Sequence, residues 1–269
     1  RGWLASSYYA RTRNSALLVA MLFLACALSG VFIRAHAQTP APAQAPTGAR
    51  AASIDIPAAV AALRKPETKV AARATLIKAG PAAVPALVAA IDSGRNRDLM
   101  TRVLRGIGPR AVPELIALLK SPDLRIRAGA ALFDVAGPES ADQTPALLDC
   151  MHDPAVNNYC GTTMVKVMGP KAAGQTARLR KALKDPEMTV RLYAAAALGR
   201  IGSQARTAVP ELIAVLNDPE PAVRMNAARA LGKIGRGAKE AVPALKLMKQ
   251  GQNDAVRDVV DEALKNIHG

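Results

Sequence analysis

Apolar side chains at Val190, Ala194, Ala195, Leu198 and Ile201 return every three or four residues, so one stripe of a helix is apolar and the positions between face away from it. Gly202 ends that stripe, and a second, shorter apolar run follows. The stretch from Asp185, DPEMTVRLYAAAALGRIGSQARTAVPEL, is then written again from Asp218 as DPEPAVRMNAARALGKIGRGAKEAVPAL, so the period is 33 residues. A repeat of this length is one supersecondary unit, here a helix A followed by a helix B. Such a unit cannot bury its own apolar face and must stack on copies of itself. The pattern predicts an all-α fold, a right-handed α-α superhelix of about six two-helix repeats.

Punctuation places the helices. Gly80, Gly108, Gly137, Gly169 and Gly235 occupy the place of Gly202, where a left-handed residue past a helix C-terminus is least costly without a Cβ. Pro81, Pro109, Pro138 and Pro170 follow directly. A second proline at Pro85, Pro113, Pro145, Pro210 and Pro243 suits the first turn of helix B, where the backbone N–H has no intrahelical partner to lose. Lys78, Arg200 and Lys233, with Arg105 and Lys166 one place earlier, complement the negative end of the helix A dipole. The units fall near 66–91, 95–120, 122–151, 154–184, 186–217 and 219–250. Ile56 to Arg64 reads as a lone B helix and Asn253 to His268 as a lone A helix, half-units that cover the two ends of a solenoid spanning 54–269. Half the residues are apolar but only 3% are aromatic, which leaves Ala, Leu, Val and Ile to fill a closely packed core.

The first 37 residues have a different logic. Arg11 and Arg13 precede an apolar run from Ala16 to Ile33, and Ala35-His36-Ala37 offers small residues at both positions a signal peptidase reads. Residues 1–37 therefore read as a secretory signal cut before Gln38, and the mature protein as periplasmic or secreted. The alternative is a membrane anchor kept in place, since about eighteen apolar residues approach the span of a bilayer. Cys26, after Phe23-Leu24-Ala25, is a poor lipidation match. Residues 38–53 are Pro- and Ala-rich without apolar period and read as an extended tether.

The pattern D-P-x-x-x-V-R-x-x-A-A-x-A-L-G-x-I-G with a following A-V-P-x-L resembles the HEAT-like repeat of the phycobilin (PBS) lyase type, most strongly in units five and six. The resemblance implies a ladder in which the motif Asp and Arg stack between successive units, assigning Asp185 with Arg191 and Asp218 with Arg224. Arg127 and Arg257 match the Arg alone. The fourth unit has Val156-Asn157 where Val-Arg belongs, and its Asp153-Pro154 sits two residues too close, so the ladder is expected to weaken there. Two enzyme activities come with the resemblance. Phycobilin lyases act in the cytoplasm, at odds with an export signal. Deoxyhypusine hydroxylase, an oxidoreductase, holds iron through repeated His-Glu pairs, and here His36, His152 and His268 are each followed by another residue.

Other catalytic chemistry is thin. No Gly-rich phosphate loop is present, because the glycines fall at helix ends, and a histidine-assisted nucleophile would have to use His152 or His268. Cys150, His152, Asp153 and Cys160 have the donor types of a metal site but match no zinc spacing. Cys150 and Cys160 lie on consecutive helices across a short turn. They either form a disulfide, as an oxidising compartment favours, or remain separately buried thiols. The reading is no catalytic residue, no metal and no cofactor.

Charge carries the functional expectation. The chain has 36 Lys plus Arg against 21 Asp plus Glu; residues 1–37 hold four Arg and no acid, which leaves 32 against 21, a net of +11. Such a field favours an acidic protein partner or an anionic envelope component. Nucleic acid is disfavoured, because Phe133, Tyr159 and Tyr193 are the only aromatics after residue 37 for stacking bases. Lys171, Arg178, Lys181, Lys184, Lys239, Lys246 and Lys249 concentrate on helices B of units four to six, which HEAT-like solenoids usually turn to their concave side; an ordinary solvated face is the plainer alternative. The expected function is an exported, non-catalytic scaffold for protein interaction.

Overall fold

A computed structural model describes residues 54–92, 96–250 and 254–269. The signal and tether read at 1–37 and 38–53 lie outside the described residues. Among those described, regular structure is helical throughout, and fourteen α-helices alternate between the two roles. The B helices are α1 (Ile56–Ala62), α3 (Val84–Ala89), α5 (Val112–Leu118), α7 (Thr144–Cys150), α9 (Thr176–Ala182), α11 (Val209–Val215) and α13 (Val242–Lys249). The A helices are α2 (Lys69–Ala79), α4 (Arg97–Ile107), α6 (Arg125–Val135), α8 (Asn157–Val167), α10 (Met188–Ile201), α12 (Pro221–Ile234) and α14 (Asp254–His268). Each A helix packs on the next, and one apolar core runs without interruption from Val60 to Ile267. None of these helices is long and apolar enough to cross a membrane.

The connection from A to B is a short 3-10 segment, not a bare turn: Gly80–Ala83, Gly108–Ala111, Pro138–Gln143, Pro170–Gln175, Gly202–Ala208 and Gly235–Ala241. The first proline of each of units one to four belongs to this segment. The second stands in the first turn of α3, α5, α7, α11 and α13, where it forfeits no hydrogen bond. Gly80, Gly108, Gly202 and Gly235 have φ between +64° and +72°, a conformation a Cβ makes costly. Gly137 and Gly169 correct the sequence reading. The chain leaves α6 and α8 one residue earlier, at Ala136 and Met168, so both glycines are already extended and need no left-handed backbone.

A second glycine in the motif has a different purpose. In the Leu-Gly-x-Ile-Gly ends of α10 and α12, Gly199 and Gly232 lie inside the helix. A Cβ on Gly199 would sit 3.2 Å from the Cα of Ala230, and one on Gly232 would sit 2.7 Å from the Cα of Ala263. The A helices thus approach to backbone contact along a seam of Gly and Ala, with Ala194, Ala195, Ala197, Ala227, Ala228 and Ala230 essentially without exposed surface. Capping accounts for the terminal glycines of the motif, and close approach accounts for these.

Earlier in the stack the seam is covered by rings. The Tyr159 ring lies on Gly129 and the Tyr193 ring on Gly161, each so close that an added Cβ would fall within 3 Å of ring atoms. Gly161, which helix propensity marks as a weak point of the fourth unit, is therefore the floor on which Tyr193 packs.

Candidate functional site

Units are tied together by charge at the start of the A helices. The Arg191 guanidinium donates from Nε and Nη2 to the two carboxylate oxygens of Asp218, at 2.7 and 3.1 Å, and from Nη1 to the backbone carbonyls of Asp185 and Pro186. Asp218 also accepts the N–H of Glu220 at 3.0 Å, which turns the chain into α12. The resemblance pairs Arg191 with Asp185 and Arg224 with Asp218. The carboxylate that Arg191 reaches is instead that of the next unit, while Asp185 and Asp218 serve the arginine of their own unit through backbone carbonyls. The reason is reach: a guanidinium at the first turn of one A helix lies beside the loop that opens the following one.

Unit three has the same rung, which the sequence reading missed. Arg125 donates to Asp153 at 3.2 Å, in the geometric place of Arg191 and Asp218. Arg127, the residue matched to the motif, donates to the carbonyl of Ala89 instead, and Arg257 pairs within its own helix with Asp254. The signal was present in Leu124-Arg125, a conservative form of Val-Arg. In unit four Asn157 stands where the arginine would be, and Asp185 is met by His152, Nε2 to Oδ1 3.3 Å. The gap read there as a weak rung is thus occupied by an imidazole, beside a bond joining Cys150 to Cys160 with their Cα atoms 6.2 Å apart. With the sulfurs joined, Asp153 on Arg125 and His152 on Asp185, the four donor residues do not converge on a common point, and no other cluster of three His, Cys, Asp or Glu could hold a metal among the described residues.

His152 gives the rung a pH dependence. Desolvation alone would lower its pKa, but the Asp149 carbonyl at Nδ1 and the Asp185 carboxylate outweigh it and hold the imidazolium above its ordinary value. A raised pKa contributes stability that is fully present below the ordinary histidine range and is lost as pH rises through the raised value. Thermal stability should therefore decline between about pH 5.5 and about pH 8 by more in the parent than in His152→Gln, the difference isolating this group. The effect is small, because nearly half the ring is exposed. Parallel pH profiles of the two proteins would refute it.

The seven basic residues read as a binding surface are distributed unevenly. Arg178, Lys181, Lys184 and Lys246 are exposed on the B helices or just past them. Lys171 and Lys239 belong to the 3-10 connections and not to helix B. Lys249 is held by both oxygens of Asp261, at 2.6 and 2.7 Å, so it is no free cation. One B helix is also tied to the next: Arg180 of α9 makes a bidentate pair with Glu211 of α11, 3.0 and 2.6 Å.

Grooves lie on the other row of helices. One, about 430 Å³, is lined by Arg97, Thr101, Ile126, Arg127 and Tyr159 of α4, α6 and α8, together with Asp92 and Asp123. Arg97 and Arg105 share Asp134 beside it, so its charges alternate in sign. A second groove, about 370 Å³, lies between α8, α10 and α12 and is mostly apolar, lined by Val165, Leu192, Tyr193 and Ala196 with Thr162, Lys166, Arg200 and Asn226.

Residues 176–265 match the family profile of HEAT repeats. A designed armadillo repeat protein crystallised with the peptide (KR)4 is 19% identical, with a TM-score of 0.50, over 79% of this chain and 99% of that one. An engineered protein is 21% identical over 80% of this chain and 96% of its own, with a TM-score of 0.48. Human deoxyhypusine hydroxylase is 23% identical over 79% of this chain and 96% of its own, with a TM-score of 0.27. No curated protein matches. The fold is an all-α solenoid of stacked helix pairs, and its C-terminal units match the profile of HEAT repeats.

Proposed function

We propose that the chain is an extracytoplasmic, non-catalytic scaffold that captures an acidic protein partner on its cationic surface. The observation that carries this is the excess of exposed Lys and Arg on units four to six that form no close ion pair among the described residues, Lys181 and Lys246 among them, with Lys184 sharing only the field of Glu211. Unpaired surface cations on a rigid repeat array create a field that attracts and orients anionic partners. The designed armadillo protein holds a basic peptide; this chain is itself basic, so the fitting partner is acidic. Compartment rests on the 1–37 signature alone, and N-terminal sequencing of protein recovered from cells should begin at Gln38. Retention of residues 1–37 would mean anchoring at the membrane. The lyase and hydroxylase alternatives would need a chromophore or iron on the purified protein, and both predict colour or metal where this reading predicts neither.

The test of capture is salt. Complexes formed with the native partner should dissociate progressively between about 50 mM and about 500 mM salt, since exposed charges are screened over a few ångströms at the upper end. The triple variant Lys181→Glu, Lys184→Glu, Lys246→Glu should slow association while leaving the fold intact. Lys249 is excluded because a glutamate there would face Asp261. Complexes indifferent to salt would contradict the proposal.

A further inference from the structure

We infer that the apolar groove between α8, α10 and α12 is the anchor of the interaction surface, and that it takes an apolar side chain of an acidic, extended peptide. The inference rests on the proposed scaffold function and moves its centre from the B helices to the A helices.

The first observation is charge. Helices α8, α10 and α12 contain no Asp or Glu, whereas α6 before them carries Asp134 and α14 after them carries Asp254, Asp258, Asp261 and Glu262. The acid-free window is three helices wide. Its basic side chains are Lys166, Arg191, Arg200, Arg224, Arg229 and Lys233; among the described residues Arg191 alone of these makes a close ion pair, and Arg224 adds its charge to the same Asp218. Arg200 lines the groove and is exposed, and the exposed Arg229 lies beside it, touching its Asn226 at 3.4 Å. The neighbouring groove on α4 and α6 has Asp92 and Asp123 in its lining and Asp134 beside it, interleaved with its arginines, and so lacks a preference for one sign.

The second observation is the floor. Tyr193 lies on Gly161, its hydroxyl 3.1 Å from the Asn158 side chain, which fixes the ring as one wall. Lys166 donates to the Phe133 carbonyl and stands 4.9 Å from the centre of that ring, so its charge is held at the rim. Apolar lining inside a ring of cations, on rigid helices, matches an apolar anchor flanked by carboxylates: the anchor is desolvated, and the flanking charges pair at a solvated rim. A lone basic face would need no groove.

The probe is a fluorescein-labelled peptide of about twelve residues, Glu and Asp with two central Leu, followed by fluorescence anisotropy on residues 38–269. The parent should bind it, and replacing the two Leu by Ser should weaken binding by at least about tenfold, the loss expected when buried aliphatic groups are removed. Arg200→Glu with Arg229→Glu should also weaken it at least about tenfold, with an unchanged circular dichroism spectrum, while the Lys181, Lys184, Lys246 triple variant should weaken it by less. If the triple variant alone abolishes binding, the groove inference fails and the scaffold proposal stands. If the Leu and Ser peptides bind equally, or phosphatidylglycerol vesicles displace the peptide and bind more tightly, the groove is not a peptide anchor. If the acidic peptide does not bind at all, both readings fall.

Discussion

Gly232→Ala should destabilise the C-terminal end of the stack by about 1–3 kcal/mol, the usual cost of forcing extra volume into a closed contact. Helix propensity alone points the other way, since Ala is favoured over Gly inside a helix by about 1 kcal/mol. The clash decides the sign. The new Cβ would lie 2.7 Å from the Cα of Ala263, and a backbone atom, unlike the end of a flexible side chain, can be relieved only by moving the whole of α14. Gly174→Ala is the control, with no atom within 4 Å of the added Cβ, and should stay within about 0.5 kcal/mol of the parent. Denaturant unfolding monitored by circular dichroism reads both, and a Gly232→Ala protein as stable as the parent would mean that the A helices do not depend on backbone contact.

The second large effect is at the best-buried rung. Arg191→Ala should cost about 3 kcal/mol, because removing one partner leaves the other charge buried without compensation. The side chains of Arg191 and Asp218 retain only 13% and 6% of their exposure, and Arg191 also holds two backbone carbonyls. Arg125→Ala, at an equivalent rung that is more open and makes a single hydrogen bond to Asp153, should cost within about 1 kcal/mol. The Asp218 carboxyl sharpens the comparison. Burial alone would raise its pKa, but the Arg191 hydrogen bonds, the Glu220 N–H and the charges of Arg191 and Arg224 outweigh burial and hold it below the ordinary aspartate value. A lowered pKa contributes stability present above the ordinary aspartate range and lost as pH falls through the folded value. Acid should therefore destabilise the parent more than Arg191→Ala. Equal losses at the two arginines would show that burial does not set the strength of the rungs.

The repeat was legible because the apolar period, the terminal glycines and the prolines of helix B are local signals, each fixed by the backbone conformation of one or two residues. Gly202 and Gly235 could be placed from sequence for that reason. Gly137 and Gly169 could not, since the same Gly-Pro pair follows a helix that ends one residue sooner, and nothing in the pair itself records this. Gly199 and Gly232 were harder still: a glycine required by a neighbouring helix looks in one sequence like any weak helix residue, and its reason appears only when Ala230 and Ala263 are opposite it.

The ladder shows the same division. The motif marks Arg191 and Asp218 as members of a ladder between successive units but couples each Asp with the Arg of its own repeat; which carboxylate a guanidinium reaches is a property of the stack. Arg125 escaped notice beside the closer-looking Arg127. The candidate surface was read from charge counts on helices B, which record where cations are but not where carboxylates are absent. That absence on α8, α10 and α12, and the Tyr193 wall that closes the groove, became visible once the three helices were side by side.

The proposed capture of an acidic partner is tested most directly in living cells. With a photo-crosslinking amino acid in place of Arg229, at the rim of the groove, illumination should yield protein adducts whose crosslinked segments, mapped by mass spectrometry, are rich in Asp and Glu around an apolar residue. Adducts on neutral or basic segments, or no protein adduct at all, would contradict the scaffold account.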